Sequence, residues 1–166
     1  MSESSTKTRT STPRYGLPED AINKLAKEVG KVLADTHVLY IMTLCCHWNL
    51  VDPRFMFLHE FFEDQYKELA KAQDVIAERV RFMGRRPPSS LAEFLEITSL
   101  KEIRQELSAD DMLQVLAEAH ESMVHALRRV IQDAASHDDE GTADMLTARL
   151  RSHEKNAWML RSHLSA

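Results

Sequence analysis

A chain of 166 residues with 43% apolar composition is long enough for one compact domain with a sizeable core, and its net charge of −5 argues against a generally basic nucleic-acid-binding surface. No apolar run approaches the roughly 20 residues of a membrane span, and the Ser/Thr-rich start lacks a secretory apolar core. Adjacent Cys45 and Cys46 make no disulfide framework, so a reducing, cytoplasmic setting is expected.

Residues 1–16 are polar and aperiodic and read as a disordered arm, leaving 17–166 for the folded domain. Lys7, Arg9 and Arg14 against Glu3 give the arm +2, enough to add phosphate contacts or to be a solvated leader. Pro18-Glu19-Asp20 opens a first long helix, with proline and acids where a helix N-terminus favours them. Its apolar stripe, Ile22, Leu25, Ala26, Val29, Val32, Leu33 and on to Leu44, holds until about His47. Asp52-Pro53 interrupts the pattern, and a second helix runs on to Gly84, where Arg85-Arg86-Pro87-Pro88 follow as a strong stop. A short apolar piece, SSLAEFLEI, precedes a polar break. Ser108 to Asp111 resembles a capping box before a third long helix, Met112 to Ala135. The acidic turn HDDEG then leads into a fourth from Thr142, with Leu146, Leu150, His153, Ala157, Leu160 and Leu164 on one stripe. Four long helices with a longer crossover after the second predict an all-α, ferritin-like four-helix bundle with a short extra helix in that crossover.

The chemistry concentrates between His47 and Glu78. His47 and His59 are 12 residues apart across Asp52-Pro53 and must sit on different elements. Asp74 and Glu78, at i,i+4, share one helix face, as do His59 and Glu63. Nitrogen with hard oxygen and no thiolate suits Fe, Mn or Zn better than copper(I) or an iron–sulfur cluster. A His/acid pair is also what a solvated face gives by chance in a chain with eight His and 26 acids. His120 and His153 lie in apolar stripes and are read as hydrogen-bonded core or interface histidines, the eight Met residues as core filler. No Glu is followed three residues later by His, so the Glu-x-x-His sites of ordinary ferritin-like di-iron proteins are not available.

His47-Trp48-Asn49, the nearby Pro53 and Phe55, Leu58-His59, Phe62-Glu63, Tyr66, Leu69, and Asp74 followed by Ile76-Ala77-Glu78-Arg79 closely resemble the signature of the Dps family, the mini-ferritins named as DNA-binding proteins from starved cells. The resemblance covers the chain from about residue 20, weakly through Ser90 to Phe94 and strongly again from Thr142 to Arg149 and His153 to Leu160. Asp52 stands where the family usually has Gly before the proline, a place where a turn tolerates Asp nearly as well.

The resemblance implies an iron-oxidising, iron-storing protein in a hollow dodecamer. His47 and His59 of one subunit would face Asp74 and Glu78 of a two-fold mate, with Trp48 beside the metals and Glu63 as a supporting or second-metal carboxylate. Fe(II) would be oxidised in pairs, preferably by hydrogen peroxide rather than oxygen, with zinc as a competitor and His163 as a further ligand in some relatives. Asp138, Asp139, Glu140 and Asp144 would line a three-fold channel that admits iron, the alternative being a solvated turn. Geometry independently requires a second chain: if the second helix is unbroken, His59 and Asp74 are about 22 Å apart along it, too far to share a metal. The reading from a different class is a mainly architectural DNA-binding shell with incidental metal binding.

Overall fold

The structure is a computed structural model in which residues 16–164 are described. The expected arm lies almost wholly outside them. Five helices follow one another: α1 Glu19–Asn49, α2 Phe55–Phe82, α3 Leu91–Ile97, α4 Ala109–Ser136 and α5 Glu140–Ser162. No strand occurs among the described residues.

Several helix ends have a local cause. Pro18 precedes α1, whose first turn carries Glu19 and Asp20 on the positive end of the helix dipole. The second helix stops at a Schellman-type turn, in which the N–H of Arg85 reaches the Val80 carbonyl at 3.2 Å and Gly84 takes a φ of +74° that favours glycine. Ser90 and Glu93 form a full capping box on α3. At α4 the box is half made: Ser108 Oγ accepts from the Asp111 N–H at 3.2 Å and donates to the Asp111 carboxylate at 2.6 Å. The last helix starts two residues earlier than the pattern predicts, because Asp139, not Thr142, caps it and accepts from the Thr142 N–H at 3.0 Å.

Side-chain links fix the topology. Lys24 near the start of α1 pairs with Asp133 near the end of α4, and Arg54 just before α2 pairs with Asp110 at the start of α4 at 2.8 Å. Arg79 near the end of α2 reaches Asp139 just before α5. Neighbours α1/α2, α1/α4 and α4/α5 are therefore antiparallel, and the crossover through α3 brings α2 and α4 into the same direction. Buried Asp35 of α1 anchors that crossover by accepting from Thr98 Oγ, Ser99 N–H and Ser99 Oγ at 2.6 to 2.9 Å. Leu25, Leu39, Leu58, Phe62, Leu69, Ile76, Leu113, Leu116, Leu127, Leu146 and Leu160 fill the interior. Contrary to the sequence expectation, α1 is long and apolar enough to cross a membrane, but most of that stretch is buried against the other helices.

Candidate metal centre

The α1–α2 turn folds His47 back onto His59. His47 lies in the last turn of α1, where main-chain carbonyls lack helical partners, and His59 lies one turn into α2. His59 Nδ1 donates to the His47 carbonyl at 3.1 Å, and His47 Nδ1 donates to the His59 carbonyl at 3.0 Å. The rings stack, with centroids 3.7 Å apart. Because a carbonyl only accepts, each Nδ1 carries a proton, so the neutral form of each ring has its lone pair on Nε2. Each imidazole is thereby held in the tautomer that binds a metal, with the orienting role often played by a carboxylate taken by the main chain.

The turn that sets this register is held by hydrogen bonds of its own. Asp52 accepts from the Arg54 N–H and guanidinium at 2.7 to 2.9 Å, and these hydrogen bonds lower its carboxyl to about 2. Asp52 thus contributes an ion pair within the turn.

Asp74 and Glu78 are exposed on α2, one turn apart. The helix from His59 to Asp74 is unbroken, so their 15-residue step, about four turns, spans roughly 22 Å, and Glu78 lies one turn further on. Among the described residues, no three His, Cys, Asp or Glu side chains of one chain form a metal-sized cluster. Exposed Val75 lies beside the acids, and Trp48, 70% exposed, and Val51 lie beside the histidines. Glu63 is paired with Lys67, whose hydrogen bond is the main cause of its lowered pKa; His47 and His59 lower it further. It stands near the imidazoles but is already engaged.

The thiols do not join the donor set. Burial pushes the Cys46 thiol up to about 12, so it stays protonated, and the Sγ of Cys45 meets the side chain of Asn49 at 3.7 Å. His163 packs on Phe57 and Phe61, with ring centroids at 5.0 and 5.6 Å. His120 and His153 are fully buried and bond each other, Nδ1 to Nδ1 at 2.8 Å.

The acids around the start of α5 divide. Asp139 is buried, pairs with Arg79 at 2.5 Å and accepts from Thr142 Oγ at 2.6 Å, whereas Asp138, Glu140 and Asp144 are exposed. Asp138 takes a φ of +57°, a strained conformation that Asp tolerates better than most residues. Arg79 also donates to Thr142 Oγ at 2.8 Å, and a Cβ at Gly141 would lie 3.0 to 3.2 Å from its guanidinium. Sequence reasoning gave Arg79 no role of its own; its place in the stretch Ile76-Ala77-Glu78-Arg79 is the signal that could have found it.

The ferritin-like domain family matches residues 26–166. The chain is 37% identical over 87% of its length to DNA protection during starvation protein 2 of Bacillus anthracis, 99% of which is covered. It is 38% identical over 82% of its length to the DNA protection during starvation protein of Brevibacillus brevis, 91% of which is covered. The crystal structure of a Dps protein from Vibrio cholerae, described as a member of the ferritin-like diiron-carboxylate superfamily, superposes with a TM-score of 0.89 at 30% identity, covering 95% of this chain and 99% of that one.

Proposed function

Because the chain belongs to the Dps family of ferritin-like proteins, we propose that it oxidises Fe(II) at sites shared between two copies and stores the ferric product inside a closed shell. The observation that carries this is the reciprocal His47–His59 pair, which presents two Nε2 atoms and, among the described residues, has no carboxylate pair of its own chain within reach. Asp74 and Glu78 of a second copy supply the hard, negative donors that an Fe(II) pair needs. Iron is the substrate here, and zinc, which accepts the same donors, competes for the site.

Hydrogen peroxide is the preferred oxidant. Two Fe(II) give one electron each, the O–O bond breaks, and two hydroxides form without release of a hydroxyl radical. Removing iron and peroxide together protects nearby DNA. Lys7, Arg9 and Arg14 add phosphate contacts that keep a cytoplasmic shell near the nucleoid. The shell is a dodecamer, and Asp138, Glu140 and Asp144 draw cations to its channels.

The test is an Fe(II) titration of the size-fractionated oligomer, aerobic and anaerobic, with and without peroxide. Two Fe(II) consumed rapidly per peroxide without oxygen is the expected result. DNA retention that salt abolishes, together with no catalysed Fe(II) oxidation, would favour the architectural DNA-binding shell instead.

A further inference from the structure

The histidine pair belongs to a continuous file of seven aromatic rings. Phe55 stacks on His59 at 4.8 Å between centroids, and His59 on His47 at 3.7 Å. Tyr66 meets His47 at 5.1 Å and Tyr40 meets Tyr66 at 6.3 Å, both edge-on. His37 then lies 6.1 Å from Tyr40 and stacks on Phe94 at 4.4 Å. The register explains the file: His37, Tyr40 and His47 fall on one face of α1, His59 and Tyr66 on one face of α2, and the two faces meet.

Only the two tyrosines in this file are readily oxidised, because a phenol gives up an electron together with its proton, whereas a phenyl or imidazole ring resists. Both are partly buried, so a radical formed there is shielded from bulk reductants. Trp48 is the other oxidisable ring nearby, but it is exposed and outside the file.

A site built for iron pairs meets an odd electron count whenever one Fe(II) is bound and peroxide arrives. We propose that Tyr66 supplies the missing electron, with Tyr40 as the next ring to share the vacancy. Peroxide takes one electron from Fe(II) and one from Tyr66, along with the phenolic proton and one proton from solvent. Its O–O bond breaks, two waters leave, and Fe(III) and a neutral phenoxyl radical remain. Exchange of an electron and a proton between the two phenols leaves that balance unchanged. This inference rests on the ferroxidase reading above.

The experiment loads anaerobic wild-type oligomer with half an Fe(II) per site, adds hydrogen peroxide and freezes the mixture for electron paramagnetic resonance, with a spin trap in a parallel sample. A tyrosyl signal is expected. Tyr66→Phe, which keeps the ring and its packing, should lower the signal at least tenfold and raise trapped hydroxyl radical, and Tyr40→Phe should shorten its lifetime. A tryptophan signal, an unchanged tyrosyl signal in Tyr66→Phe, or no radical while the wild type oxidises iron rapidly would each overturn the relay alone. Absence of rapid iron oxidation in the wild type would overturn the site reading and the relay with it.

Discussion

Arg79 and Asp139 form an ion pair at 2.5 Å in which the aspartate side chain is 3% exposed, so the turn before α5 is fastened to the end of α2 directly beside Glu78. Removing the carboxylate leaves a partly buried guanidinium unpaired and α5 without its cap. Asp139→Ala is expected to cost roughly 3 kcal/mol, seen as a fall of about 8 °C in the thermal unfolding midpoint. The exposed acids should behave oppositely. Glu140→Gln with Asp144→Asn should leave the midpoint within about 2 °C and slow iron uptake at low ionic strength only. An unchanged uptake rate at every salt concentration would leave those acids a helix-terminus role alone.

His120 and His153 make the core sensitive to acid. Burial is the main cause that lowers His120 from 6.5 to about 3 and holds His153 well below 6.5, and the Arg149 charge adds to both. The unfolded chain binds protons near pH 6.5 while the folded chain does not until about pH 3, so stability falls as pH drops through that window. His120 should cost about 2 kcal/mol between pH 7 and pH 5, and His153 acts in the same direction. Denaturant midpoints measured across this range should show that slope, and replacing both histidines by leucine should flatten it.

Much of this was legible in the sequence. Helix periodicity, Pro53, Gly84 and the Ser108 cap marked most of the elements because those signals are local, whereas the Ser90 cap of α3 was not read, and the spacing of His47, His59, Asp74 and Glu78 pointed to donors that one chain cannot bring together. The long-range partners were not legible. Asp139 looked like one of four equivalent acids until Arg79, 60 residues earlier, was found beside it. Glu63 looked free at i,i+4 from His59, but Lys67 holds it from the other side. His120 and His153 were expected to be hydrogen-bonded, yet nothing in either stripe showed that each is bonded to the other.

DNA binding is expected to reside in the arm. Residues 1–15 carry +2, and taking that from −5 leaves −7 for the remainder. Deleting them should abolish gel retardation of DNA at low salt. Retardation that survives the deletion would place the contact on the folded body.

The central claim is that each oxidation site takes its histidines from one copy and its carboxylates from another. It is tested by co-assembling two inactive variants, His47→Ala with His59→Ala in one chain and Asp74→Ala with Glu78→Ala in the other. Each alone should lose at least about 100-fold in fast Fe(II) oxidation. In a mixed two-fold pair, the second variant's histidines face the first variant's carboxylates, so one of the two sites is whole. Refolded mixtures should therefore recover fast oxidation, approaching half the wild-type rate per mixed pair. Mixed oligomers, verified by mass, that stay as inactive as either parent would contradict the shared site.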